Sequence, residues 1–239
     1  MGITIAGGLQ ISSGISITSP GGGGALTLTQ SGSVSSLAYT TTLPSSGIAA
    51  GSIAVILAQY RQPSAADYTP TGWTKIGTAV QPSGTSLVRI NSYYKILTSG
   101  DIGATVQTSP LITDGSLTWS GSQTWIWNPS SAVSTVTVNN LNGSGSASAI
   151  TNTITTNGVA GPLIALGHAA AQTSVEGQWL SWTGIAATQT FSRDDVTNDD
   201  PSRGAYTLVN GGSTAGSDIT ASVTDLGLQE LQTFYLTFS

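Results

Sequence analysis

Apolar residues recur along this chain mostly at every second position, in short runs separated by glycine, proline, asparagine and serine. The first twenty residues show the pattern most simply. Ile3-Thr4-Ile5-Ala6-Gly7-Gly8 is followed by Leu9-Gln10-Ile11-Ser12-Ser13-Gly14 and then by Ile15-Ser16-Ile17-Thr18-Ser19-Pro20. Each six-residue unit has apolar side chains at its first and third positions and closes on a turn former. Residues two apart share one face of a strand, and glycine permits the bend between short strands. Three such units cannot bury Ile3, Ile5, Leu9, Ile11, Ile15 and Ile17 against themselves. Residues 1–20 are therefore expected to be an anchor, pairing with further copies of the chain or with a groove on another protein. Residues 21–25, opening with four consecutive glycines, form a joint.

From residue 26 to 239 strands and turns alternate without a convincing amphipathic helix. The pattern predicts strands at Ala25–Thr29, Val34–Thr41, Ser52–Gln59, Leu87–Ile96, Ala104–Thr108, Leu117–Trp119, Thr124–Trp127 and Thr135–Val138. It continues with Ala149–Thr155, Pro162–Ala169, Gly204–Val209, Asp218–Val223 and Thr233–Phe238. Turns are expected at Pro44–Gly47, Pro82–Gly84, Asn142-Gly143, Asn157-Gly158 and Asn210–Gly212. The expected fold is all-β, an antiparallel β-sandwich of jelly-roll-like type. A faint internal echo accompanies it: Gly51–Ala58 resembles Gly161–His168 as a buried run after a glycine, and Trp-bearing loops and Tyr-bearing strands follow each.

Composition narrows the function. Of 239 residues only 7% are charged, against about 25% in an ordinary soluble domain. Six basic residues are scattered over the chain, so no basic stripe exists for phosphate contacts and nucleic-acid binding is not expected. The longest apolar run, Ile53–Ala58, is strand-sized, so no membrane insertion is expected. The N-terminus lacks the basic and apolar regions of a secretory signal. With no cysteine and one histidine, a thiolate metal site is excluded and a zinc site lacks ligands. No cofactor is expected.

The stretch Ala50–Ala58, then Tyr68-Thr69-Pro70-Thr71-Gly72-Trp73-Thr74-Lys75-Ile76-Gly77, Ser92-Tyr93-Tyr94-Lys95-Ile96-Leu97 and Gly100–Val106, resembles a β-sandwich module of bacteriophage tail-fibre and other virion-surface proteins. The closing stretch, Ala221–Val223 and Phe234–Phe238, is similar to the way such modules end. The motifs are strand-and-turn motifs, and Ser52 stands where the module usually has Asp. The resemblance implies a virion location, with assembly in the host cytoplasm and other virion proteins as partners. Physically, Pro70-Thr71-Gly72 is a turn that delivers Trp73 as a core plug. In the strand that follows, one of Tyr93 and Tyr94 is expected to face inward and the other outward.

Candidate chemistry is sparse. His168 sits in an apolar strand with no Gly-x-Ser-x-Gly elbow anywhere, and reads as a structural histidine. Asp194, Asp195, Asp199 and Asp200 share one loop with Arg193 and Arg203. Their oxygens suit a hard cation such as Ca2+, but the spacing of a calcium loop is absent and a solvated loop is the plainer reading. One loop cannot flank a sugar cleft at a fixed separation, so no glycosidase, and no enzyme, is expected. Trp119, Trp125 and Trp127, with Trp179 and Trp182, offer faces for stacking on a host-surface glycan, unless they fill the core or a subunit interface. The reading is a non-enzymatic tail-associated virion protein, a fibre or baseplate component and a homotrimer. A capsid decoration protein and a glycan-binding module are its rivals.

Overall fold

The computed structural model describes residues 26–31, 40–62, 67–80, 87–110, 119–146, 150–155, 163–171, 180–183, 189–193, 202–209, 219–223 and 229–239. The six anchor residues, Trp179 and the four loop aspartates lie outside them. Among the described residues fifteen strands run in chain order: β1 Leu26–Ser31, β2 Thr40–Thr42, β3 Ile53–Gln62, β4 Thr74–Val80, β5 Leu87–Ile96, β6 Thr105–Gln107, β7 Trp119–Pro129 and β8 Val136–Ser146. Then come β9 Ile150–Ile154, β10 Leu163–Ala171, β11 Leu180–Thr183, β12 Gln189–Arg193, β13 Ser202–Val209, β14 Ile219–Val223 and β15 Gln229–Phe238. The described residues contain no α-helix, only a single 3-10 turn at Ser99–Asp101.

Every strand pair is antiparallel. One five-stranded sheet has the order β1-β7-β3-β5-β4 and the other β12-β13-β10-β15-β8; β11-β14-β9 and β2-β6 form two small sheets. The chain finishes the first large sheet before it begins the second. That differs from the back-and-forth passage between sheets that a jelly roll makes.

Strand β3 shows how the core is organised. Ile53, Val55 and Leu57 enter one core cluster, while Ala54, Ile56 and Ala58 enter another. Both faces of the strand are therefore buried, which explains its unbroken apolar run. The first cluster joins the two large sheets: Trp125 and Trp127 of β7 meet Ile164 and Leu166 of β10 and Phe234, Leu236 and Phe238 of β15. The second lies on the other face of the first large sheet and takes in Leu43, Ile48, Trp73, Tyr93, Leu97 and Val106.

Several local expectations change in this setting. Tyr93 is buried in the second cluster, whereas Tyr94 packs against the first and is only partly buried. Neither ring is simply outward, because both faces of the sheet are covered. Of the expected strand Leu117–Trp119 only Trp119 is among the described residues; it and the expected strand Thr124–Trp127 both lie in β7, whose Ser120, Ser122, Gln123 and Thr124 are buried despite their polarity. Asn142-Gly143 is not a turn but part of β8, paired with Thr233 and Gln232 beside a register shift. Strands β4, β11 and β12 were not anticipated. In β4, Gly77 interrupts the apolar alternation, and a bulge between Lys75 and Gly77 breaks the register with β5.

Two expectations hold in detail. Gly72 adopts φ +77° in the turn that delivers Trp73, whose N–H donates to Pro70 O at 3.1 Å, and the Trp73 ring is buried. Strand β5 spans the predicted residues, Leu87–Ile96.

Candidate functional site

The tryptophans come first, since stacking on a sugar needs an exposed ring face. Trp125 and Trp127 have none: both are 0% exposed, with ring centroids 6.3 Å apart at 65°, edge to face in the core between the large sheets. The glycan expectation is corrected for these two. They share a face as their spacing predicts, but that face is the core. Trp119 lies on β7 and Trp182 on β11, and nothing is described of their side chains.

His168 lies in the same inter-sheet layer, 0% exposed, and its Nε2–H donates to Gln59 Oε1 at 2.9 Å. Burial lowers its pKa from 6.5 to about 3, so the ring is neutral near neutral pH. Close by, Ser92 Oγ donates to Gln232 Oε1 across the two large sheets. The core between the sheets is thus apolar at one end and hydrogen-bonded at the other. This matches the reading of His168 as a satisfied structural histidine.

A cluster that the sequence pattern did not reveal sits on the opposite face of the first large sheet. Strand β5 turns Arg89, Asn91 and Tyr93 to that face, since alternate residues share a side. Strand β3 adds Tyr60, β4 adds Lys75 and Thr78, and the segment before the Trp73 turn adds Asp67 and Tyr68. Asn91 Nδ2 donates to Tyr60 Oη at 3.1 Å, and Asn91 Oδ1 accepts from Thr78 Oγ1 at 2.7 Å. Tyr93 Oη donates to the Tyr68 carbonyl at 2.7 Å. The Asp67 carboxylate is shared by Lys75 Nζ and by Arg89 Nη1, the latter at 3.4 Å. Burial pushes the Tyr93 and Tyr60 phenols well above the usual range, and the Arg89 charge only partly offsets this for Tyr60. Both stay protonated and serve as neutral hydrogen-bonding groups.

The one legible signal was Arg89-x-Asn91-x-Tyr93, a polar stripe at strand period; its partners come from other segments. Chemically the cluster is a clamp. The buried hydroxyls and the amide fix the Tyr68 backbone, while the ion pairs close its solvent edge. Asp67 is more than half exposed, so those pairs add little.

A smaller polar feature closes the far end of β5. Burial would raise the pKa of Asp101, but hydrogen bonds from Lys95 Nζ at 2.5 Å and from the Thr98 N–H and hydroxyl, each at 2.8 Å, outweigh it and hold the carboxyl below its usual value. An open groove of about 290 Å3 runs where the Ala49–Ser52 turn meets the Asn128–Val133 connection. It is lined by small side chains and holds no titratable group. Among the described residues no three His, Asp or Glu side chains come together as a metal site would require.

No family model matches the chain, and neither curated proteins nor solved structures give a match.

Proposed function

We propose that this chain is a non-enzymatic structural protein of a bacteriophage particle, a fibre or baseplate component of the tail, assembled in three copies through residues 1–20. The observation that carries the reading is how the side chains are used. The large apolar residues of β3, β7, β10 and β15 are spent in cores shared between sheets, and the titratable cluster is committed to a clamp. The anchor hexads contribute six further apolar residues with no core of their own. Such a leader gains most by adding strands to a neighbour, where main-chain hydrogen bonds supply affinity. We read the body as a β-sandwich made by the two large sheets, with strands grouped by half of the chain rather than in jelly-roll order.

Deleting residues 1–24 tests the reading. The truncated chain is expected to keep its β-sheet circular dichroism, to be lost from particles, and to give the mass of one subunit in light scattering where the full chain is expected to give three. Normal incorporation would overturn the anchor. Labelled protein over the whole head, instead of on the tail, would make this a capsid decoration protein.

A further inference from the structure

The two large sheets repeat one another. Read from one edge, the first runs β1, β7, β3, β5, β4, and the second runs β8, β15, β10, β13, β12. In both, the earliest strand is an edge beside the latest, the central strand comes third in the unit, and a hairpin completes the far side. The small sheets follow suit: β2 pairs with β6 in the first half, as β9 does with β14 in the second. Among the described strands only β11 has no counterpart.

Register carries the match to single residues. Val55 lies opposite Tyr94 on one side and Trp125 on the other, and Leu166 lies opposite Tyr206 and Phe234. This correspondence aligns Ile53-Ala54-Val55 with Ile164-Ala165-Leu166 and Tyr94-Lys95-Ile96-Leu97 with Tyr206-Thr207-Leu208-Val209. It also aligns Gln123-Thr124-Trp125-Ile126-Trp127 with Gln232-Thr233-Phe234-Tyr235-Leu236. The edges agree too: Leu26 and Leu28 face Pro129 and Trp127, as Val136 and Val138 face Phe238 and Leu236, and both pairings then shift register. The faint echo noted above stands one residue out of this alignment. Matching Gly51 to Gly161 would put Ile53 on Leu163 and so turn opposite faces to the shared core.

We infer that the chain is a tandem duplication of one seven-strand unit, residues 26–129 and 136–238, and that the half, not the whole, is its module of construction. The ends of each unit lie together, as those of a self-contained module do: Leu26 is opposite Pro129, and Val136 opposite Phe238. The Ser239 N–H donates to Thr135 O, and Ser134 and Thr135 N–H groups donate to Ser239 O. The natural connection Ser130–Thr135 therefore spans the same gap that separates Ser239 from Leu26.

Two measurements test this on the full chain. The first exchanges the halves behind the unchanged leader, giving residues 1–25, 136–239, a copy of Ser130–Thr135, then 26–129. Its melting temperature is expected within a few degrees of the natural order. The second uses the absence of cysteine. Thr42 and Thr105 are strand partners, with hydroxyls 3.3 Å apart, and Thr153 and Thr220 are partners in the second small sheet. Cross-strand neighbours fall within disulfide range. Thr42→Cys with Thr105→Cys, and Thr153→Cys with Thr220→Cys, should each cross-link on mild oxidation, and Thr42→Cys with Thr220→Cys should not. Failure of the Thr153–Thr220 link, or formation of the crossed one, would overturn the duplication. An exchanged chain that cannot fold, while both links form in the natural order, would overturn the half as module.

Discussion

The two units build the same seven strands but differ in what their described residues add to them. In the first, the segment Asp67–Trp73 lies over β3 and β5, held by the Tyr93 hydroxyl and the Asn91 amide and weighted by the buried Trp73 ring. In the second, Ala171 and Ala205 occupy the register positions of Tyr60 and Tyr93, and an additional strand, β11, pairs with β14. The first unit adds an aromatic and amide clamp to one sheet face, and the second adds a strand to the edge of its small sheet. The repeated topology requires neither in particular. Their shared core differs as well: Trp125 and Trp127 of the first unit correspond to Phe234 and Leu236, and Leu57 corresponds to His168. The first unit contributes the larger rings, the second a buried imidazole.

Cutting the shared core at matched positions should have the largest effect. Trp125→Ala and Phe234→Ala are each expected to cost about 3–5 kcal/mol, read from urea unfolding. A loss at Trp125 with none at Phe234 would show that the layer is not shared.

His168→Leu makes the second unit resemble the first at the polar end of the layer. The unfolded chain binds a proton on His168 near 6.5 and the folded chain only near 3. Stability from this group is therefore complete above 6.5 and falls by about 1.4 kcal/mol per pH unit as pH drops through that window. Between pH 6.5 and 4.5 the natural chain should lose stability that the His168→Leu chain keeps. Asp101, whose folded pKa is lowered, adds a loss of the same sign, but only as pH falls through the carboxylate range, and in both chains alike. Equal slopes for the two chains would remove His168 from the inter-sheet core.

Gly77 probes how closely the units approach. A Cβ there would come 2.8 Å from two Leu141 methyl carbons and 2.9 Å from Gln232 Nε2, both on the second unit. Leu141 is an exposed side chain that can turn aside, so Gly77→Ala should cost only about 1 kcal/mol, the low end of overpacking, and Gly77→Ala with Leu141→Ala should recover part of it.

The clamp should matter less, and only to the first unit. Tyr93→Phe is expected to lose about 0.5–1.5 kcal/mol and to raise amide exchange in 67–73 without changing it in β10 or β15. Asp67→Asn should be nearly silent, within about 1 kcal/mol, because its carboxylate faces solvent.

Much of the fold was legible locally. Apolar runs, unbroken in β3 and β10 and mixed with polar residues in β5 and β15, located those strands, since a strand in a covered sheet must bury one face or both. Pro70-Thr71-Gly72 announced its turn because few residues other than glycine tolerate that φ. What escaped depended on neighbours. The buried serines and glutamine of β7 fell between two expected strands, because the strand they pair with, β3, is distant in sequence. The same holds for the clamp, whose members come from four separate segments.

The amino-acid pattern alone specified an antiparallel all-β chain, a structural histidine within an apolar strand and a pair of tryptophans on one face. These follow from alternation, composition and turn chemistry, which act over a few residues. Only the tertiary structure decided which core that face enters, which strands are neighbours, and that one arrangement occurs twice. Register and pairing are set by contacts between residues far apart in the chain, and many different side chains satisfy the same register. Two units can thus share a topology while keeping only short runs of sequence in common.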